Sequence, residues 1–194
     1  MIGTNSRRGW GMRKLVVALS FLLMSTQAFG LEVAGVNVAP TVSAGQKTLV
    51  LNGTGIRKKF VIKVYVGALY LEKKAASREE LIKDAGDKLV RMSFVYKKVE
   101  KEKIIEAFAE GLSGNSPDVA QTPDAKAFLS WFTSDFTAGD TVDVSMGSDG
   151  TVSATHNGKA LGTVRNPALA RAVLLIWFGD KPADAGLAKG MIGQ

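Results

Sequence analysis

Arg57, Lys63 and Tyr65 lie within the stretch GTGIRKKFVIKVYVGALYLE, which covers residues 53–72. An arginine guanidinium is always charged and offers a planar fork that forms two parallel hydrogen bonds with a carboxylate, and a nearby tyrosine hydroxyl can donate a third. These residue types therefore indicate a site for an anionic head group. The same residues also fit a plainer interpretation, in which Arg57 lies in a solvated turn and Tyr65 is a core residue with a solvated hydroxyl.

The strands that position these side chains are predicted from the same stretch. The segments KTLVLNGTGI and KKFVIKVYVGALYLE are rich in β-branched and aromatic residues, which predicts two strands with a break near residues 53–55. Along a straight strand eight residues span about 27 Å, so Arg57 and Tyr65 can share a ligand only if the chain turns or bulges near residues 58–59. Without such a fold-back, Lys63 is the expected cationic neighbour of Tyr65, because the two share strand parity.

The amino-terminal residues predict export. Residues 15–24, LVVALSFLLM, form an apolar run behind four basic residues, too short to span a bilayer but suited to a signal peptide. We expect residues 1–30 to be removed by cleavage after Gly30, with cleavage after Ala28 as the alternative, which predicts a periplasmic or secreted protein. A retained amino-terminal anchor is the competing interpretation.

Charge and composition exclude several classes of function. Removal of residues 1–30, which carry four basic and no acidic residues, lowers the formal charge from +7 to +3, and nucleic-acid binding then loses its main support. The chain has no cysteine and one histidine, His156, which is predicted to be a solvated turn residue. Neither a nucleotide-binding loop nor a serine-hydrolase motif is present, so we expect no metal, cofactor or catalytic residue.

Spacing and capping signals predict the remaining elements. Helices are predicted within residues 77–86, 99–115, 122–136, 166–179 and 183–193. One strand is predicted at residues 88–96. Three more are predicted within residues 140–164, separated by an Asp-Gly turn at residues 149–150 and an Asn-Gly turn at residues 157–158. Because the helices gather in clusters and do not alternate with strands, we expect an α+β domain over residues 31–194, with a large antiparallel sheet covered by helices on one face.

Residues 53–72, together with IWFGDKPADAGLAKGMIG at residues 176–193, resemble the bacterial exported branch of the chalcone isomerase-like superfamily. The resemblance runs from Val36 onward and includes Arg91 in a middle strand. It implies an open-faced β-sandwich, in which a large antiparallel sheet and the helices on one face enclose a ligand cleft.

The resemblance also implies chemistry. Plant chalcone isomerases cyclise chalcones with an arginine, a threonine, a tyrosine, an asparagine and a further hydroxyl residue, whereas their fatty-acid-binding relatives hold a carboxylate with an arginine and a tyrosine. Arg57 matches the arginine, and Tyr65 stands where the enzymes have threonine, as in the binders. The other three positions fall at residues 102–103 (Glu and Lys), Glu110 and Ile176, so the enzyme's polar set is lost.

The preferred hypothesis is a periplasmic, non-enzymatic protein that binds a small amphipathic carboxylate such as a fatty acid through Arg57, Tyr65 and Lys63. A scaffold or partner-binding protein without a ligand is the alternative. An intramolecular lyase of the chalcone isomerase type ranks below both. We expect no nucleic-acid partner and no membrane span after signal cleavage, and the sequence leaves the oligomeric state open.

Overall fold

The computed structural model describes residues 30–194, so the predicted export signal lies outside the described residues apart from Gly30. The strands are β1 (Leu31–Val33), β2 (Val36–Val38), β3 (Thr41–Ala44), β4 (Lys47–Lys59), β5 (Ile62–Leu71), β6 (Lys88–Phe94), β7 (Lys98–Val99), β8 (Phe136–Thr137), β9 (Thr141–Met146), β10 (Thr151–His156) and β11 (Lys159–Arg165). The helices are α1 (Arg78–Lys83), α2 (Lys101–Asn115), α3 (Pro117–Ala120), α4 (Pro123–Ser130), α5 (Pro167–Phe178) and α6 (Ala185–Ile192).

Seven strands form one antiparallel sheet in the order β11-β10-β9-β6-β5-β4-β3. The main core lies between one face of this sheet and the helices, and its largest side chains include Phe108, Phe128 and Trp177. A second, smaller core on the opposite face joins Tyr70 and Val66 to Val38 of the β1–β2 hairpin. This architecture confirms the predicted α+β fold.

Capping side chains start the helices where the sequence predicts them. Asn166 accepts hydrogen bonds from the backbone N–H groups of the first turn of α5, with Pro167 at the first helical position. Ser77 and Thr122 cap α1 and α4 in the same way. The three strands predicted after residue 140 are β9, β10 and β11, and the turns between them place Gly150 and Gly158 at positive φ.

The strand break predicted near residues 53–55 is wrong. β4 runs without a break through Gly53 and Gly55, and the chain turns instead at residues 60–61, between the paired residues Lys59 and Ile62. The glycines are there because the backbone of α6 lies directly on β4. A Cβ on Gly53 would lie 2.5 Å from the carbonyl oxygen of Gly190, so a side chain would push the helix away.

His156 is not the solvated turn residue that the sequence predicts. It ends β10, its ring lies 5.1 Å from that of Phe136, and its Nε2 is 3.5 Å from a carboxylate oxygen of Asp140. The side chain is therefore half-buried at the sheet end.

Within residues 30–194, no helix combines the length and the apolar character that a bilayer crossing requires.

Residues 30–194 contain the whole seven-stranded sheet and both cores. We therefore expect residues 30–194 to fold as an independent unit.

Gly55→Ala tests the close approach of α6, the helix that begins beside Arg57. The added methyl would clash with the carbonyl oxygen of Leu187, so we expect the free energy of unfolding to fall by about 1 to 3 kcal/mol in urea denaturation. Gly114→Ala is the control, because its methyl would meet only the Lys181 side chain at 3.6 Å and alanine favours the helix. Equal stability of Gly55→Ala and the parent would contradict the packing.

Candidate functional site

The β4–β5 hairpin brings Arg57 and Tyr65 side by side. Because the chain folds back at residues 60–61, the two residues are partners across the antiparallel ladder. Directly opposed residues on neighbouring strands lie about 4.5 to 5.5 Å apart at Cβ. The separation of about 27 Å that a single straight strand would impose therefore does not arise.

A bulge in β5 separates Lys63 from the other two predicted site residues. Lys58 is opposite Lys63 and Arg57 is opposite Tyr65, so Val64 is one residue extra on the β5 side. Val64 and Tyr65 both line a cavity, whereas Lys63 is exposed and is not among the lining residues. Lys63 is expected beside Tyr65 only if the strand does not fold back. Because the chain folds back at residues 60–61, this expectation does not apply.

The cavity lies between the turn end of the β4–β5 hairpin, α2 and α5 and has a volume of about 480 Å³. This size falls within the range of about 300 to 1,000 Å³ that small-molecule sites occupy. Its wall is largely apolar and includes Ile62, Val64, Ile104, Phe108 and Ile176. Such a cavity suits a ligand with a hydrocarbon part.

The phenol of Tyr65 is buried at one end of this wall. Trp177 donates an indole N–H hydrogen bond to the Tyr65 hydroxyl oxygen at 3.2 Å, and the Tyr65 ring packs on Phe94 at 5.7 Å. Burial raises the pKa of Tyr65 to about 12. The phenol is therefore neutral at physiological pH, and no residue within 30–194 accepts a hydrogen bond from its proton. That proton is available to an acceptor in the cavity.

The guanidinium of Arg57 also lines the cavity and is loosely held. Its Nη1 lies 3.4 Å from a carboxylate oxygen of Asp184 and 3.4 Å from the carbonyl oxygen of Lys58. Arg91 offers a comparison within the chain, because it grips Asp143 with two hydrogen bonds of 2.7 Å each. This short bidentate pair fixes the orientation of the Arg91 fork within the sheet. The fork of Arg57 keeps donors free for another anion.

Asp184 holds the start of α6 against the hairpin. Its two carboxylate oxygens accept hydrogen bonds from the backbone N–H groups of Leu187, at 2.9 Å, and Lys58, at 3.1 Å. Burial opposes ionisation, but these hydrogen bonds and the charge of Arg57 together lower the pKa of Asp184 below its ordinary value. Asp184 is thus mainly a helix cap, and its contact with Arg57 orients the guanidinium.

The resemblance aligns the enzymes' other polar groups with residues 102–103, Glu110 and Ile176, and three of these four residues face this cavity. Lys103, Glu110 and Ile176 line it. None of these side chains is a phenol, an amide or an alcohol, so the chain presents a different set of groups at the corresponding places. Within residues 30–194, no cluster of three histidine, aspartate or glutamate side chains could hold a metal ion.

Sequence reasoning missed Trp177 and Asp184. The motif IWFG contains Trp177 and contributes to the resemblance, but no signal in the sequence predicts its contact with Tyr65. Asp184 lies within the helix predicted at residues 183–193, whereas in the structure it is the capping residue directly before α6. Its pairing with a residue 127 positions away has no local signal in the sequence.

Comparisons with known proteins agree with this architecture. A family model described as chalcone isomerase-like matches residues 30–193. Among solved structures, the chain is similar to a fatty-acid binding protein of Arabidopsis thaliana, with 18% sequence identity and a TM-score of 0.62 over 81% of this chain and 92% of that chain. At this identity the likeness shows the fold. A search of curated proteins finds no match.

Tyr65→Phe tests the burial of the phenol. The folded chain keeps the Tyr65 proton up to about pH 12, whereas the unfolded chain loses it near pH 10. Between these values the unfolded state binds fewer protons, so Tyr65 should lower the unfolding free energy by about 1.4 kcal/mol per pH unit as pH rises above 10.

Urea unfolding at several pH values from about 9 to 11 measures this slope. The curve of Tyr65→Phe should fall less steeply than that of the parent, and Tyr70 contributes equally to both. Parallel curves would contradict a buried, neutral phenol at position 65.

Proposed function

The chain belongs to the chalcone isomerase-like family, and from that premise we propose that it binds a small amphipathic carboxylate, such as a fatty acid, without converting it. One observation carries the proposal. A guanidinium with free donors and a buried neutral phenol are cross-strand neighbours on the wall of an apolar cavity.

The head group of the ligand would lie between Arg57 and Tyr65. A carboxylate accepts charge-assisted hydrogen bonds from the guanidinium, and the phenol donates a further one. Asp184 competes for the same cation, but its single contact of 3.4 Å is longer than the 2.7 to 2.9 Å typical of a strong charge-assisted hydrogen bond. A ligand carboxylate can therefore accept hydrogen bonds from the remaining N–H groups of Arg57 while Asp184 continues to cap α6.

The hydrocarbon part would lie along the apolar wall. Ile104 and Phe108 of α2 face Ile62 and Val64 of β5 across the cavity lining, so a chain leaving the head group passes between helix and sheet. Each Å² of apolar ligand surface that is buried contributes about 25 cal/mol of favourable free energy to binding. Affinity should therefore rise with chain length until the cavity is filled.

The cavity lining carries five cationic side chains and three carboxylates, those of Glu100, Glu106 and Glu110, so its charge balance favours an anion. Lys59 and Lys97 line the cavity, are exposed, and make no ion pair within the part of the chain that the structure describes. Lys98 and Lys103 lie there too, each already paired with a carboxylate. Unpaired cations beside a low-dielectric cleft raise the local concentration of anionic ligands.

Three further observations support binding over the other hypotheses. The cavity is open, whereas a scaffold without a ligand could have this space filled by its own side chains. The similar solved structure is a fatty-acid binding protein, so this fold is used for such a ligand in one relative. The residues that the resemblance aligns with the enzymes' other polar groups, at positions 102–103, 110 and 176, lack the phenol, amide and alcohol of the enzymes, which supports binding without catalysis.

Isothermal titration of residues 30–194 with saturated fatty acids of increasing length tests the proposal. We expect Arg57→Ala to weaken binding roughly 10- to 100-fold, because a hydrogen-bonded charge is lost. Arg57→Lys should recover only part of the affinity, since an ammonium lacks the planar fork.

Lys63→Ala is the matched control, because it removes a nearby exposed cation that does not line the cavity, and its affinity should equal that of the parent. A fatty alcohol of the same length should bind less tightly than the acid. The proposal fails if no fatty acid binds, or if Arg57→Ala binds as tightly as the parent.

We also propose that the protein acts outside the cytoplasm, with residues 1–30 as a cleaved export signal. Expression of the full 194-residue chain in a bacterium, followed by intact-mass measurement of the periplasmic fraction, tests this. The expected mass is that of residues 31–194. Recovery of the chain with residues 1–30 attached would contradict cleavage and support the anchored form.

A further inference from the structure

The turn between β4 and β5 exposes a compact apolar cluster. Phe60 is 91% exposed, Val61 is 93% exposed and Ile62 is 40% exposed. Only one other large apolar side chain in the described range, Leu31, is exposed. Single exposed apolar residues are ordinary, but three consecutive ones at the end of a projecting hairpin are not. We call residues 58–63 the hairpin tip.

The hairpin tip also has an unfavourable local conformation. Phe60 has a φ of 55°, a value that bulky side chains rarely adopt. A two-residue turn with positive φ at its first position normally carries glycine there. A non-glycine residue in this region costs about 1 to 3 kcal/mol and is typical of functional segments.

The charges of the hairpin tip are of one sign. Lys58, Lys59 and Lys63 are all exposed, and none forms an ion pair within residues 30–194. Lys58 and Lys63 are direct cross-strand partners, an arrangement that destabilises a hairpin when both residues carry the same charge. Exposure, strain and repulsion thus coincide in six residues. An anionic partner that also takes up apolar side chains would relieve both the exposure and the repulsion.

We propose that the hairpin tip docks on an anionic lipid membrane, with Phe60 and Val61 entering the boundary between head groups and acyl chains. The three lysines then contact lipid phosphates. Apolar and aromatic side chains flanked by lysines form the combination that binds such interfaces. A protein partner fits less well, since stable protein interfaces take about 20 to 30 residues a side and the tip offers six.

Docking would bring the cavity to the lipid. Lys59 and Ile62 belong to the hairpin tip and also line the cavity. A ligand leaving or entering the bilayer at the tip would therefore meet the cavity entrance directly. The docking does not rest on the proposed ligand, because it depends only on side chains outside the cavity or at its edge.

Flotation of residues 30–194 with lipid vesicles tests the proposal without any fatty acid present. The vesicles are phosphatidylcholine alone or phosphatidylcholine mixed with phosphatidylglycerol. We expect binding to the mixed vesicles at low salt, much weaker binding to the neutral ones, and weakening at high salt because salt screens exposed charges.

Two variants separate the contributions. Phe60→Gly with Val61→Ser removes the apolar cluster and relieves the strain at Phe60, so the variant should fold at least as stably as the parent and bind the mixed vesicles at least tenfold less. Lys58→Gln, Lys59→Gln and Lys63→Gln together should reduce binding roughly fivefold per lysine.

Control variants remove the same groups elsewhere. Lys73→Gln, Lys74→Gln and Lys126→Gln delete three exposed lysines away from the tip, and Leu31→Ser deletes the remaining exposed apolar side chain. Both should bind vesicles like the parent apart from a small effect of net charge. The proposal is overturned if the parent does not float with mixed vesicles, if the tip variants float as well as it does, or if the tip drives self-association in sedimentation instead. Because titration with soluble fatty acids is a separate measurement, either proposal can fail alone.

Discussion

The site depends on one cross-strand pair, Arg57 opposite Tyr65, which a two-residue turn between β4 and β5 creates. The turn converts eight residues of sequence separation into direct adjacency, and the bulge at Val64 sets which side chains of β5 face the cavity. The rest of the sheet and the helices supply the surroundings that give this pair its chemistry. Burial against Trp177 and Phe94 keeps the phenol neutral, and the cavity beside it is apolar.

Two arginines in one sheet show how the same residue type serves different purposes. Arg91 forms a short bidentate pair with Asp143 beneath Tyr70, so its fork is used within the fold. Arg57 makes one long contact with an aspartate whose oxygens already cap α6 and hold the hairpin. The first arrangement joins strands, whereas the second positions a cation whose remaining donors have no partner within residues 30–194. The close packing of α6 on glycines of β4 fixes Asp184 in this role.

How much of this the sequence predicts depends on whether the signal is local. Caps such as Asn166 with Pro167, and the Asn157-Gly158 turn, act within a few residues, so the helices and later hairpins could be predicted. The turn at residues 60–61 lacks glycine, proline, asparagine and aspartate, and the glycines upstream serve helix packing, so the sequence predicts the break at the wrong position. Arg57 and Tyr65 were chosen by residue type and resemblance, but Asp184 and Trp177 reach the site through tertiary contacts that no spacing rule encodes.

In the proposed binding mode, a fixed cation and a neutral phenol hold an ionised head group beside an apolar cavity. The most direct test is the carbon-13 NMR titration of a carboxyl-labelled fatty acid bound to residues 30–194. A carboxylate held by a guanidinium and a phenol has its pKa lowered, whereas one buried in apolar surroundings alone has its pKa raised. We expect the pKa of the bound acid to lie below that of the free acid, and we expect this lowering to be lost in Arg57→Ala. A bound pKa equal to or above that of the free acid would contradict this binding mode.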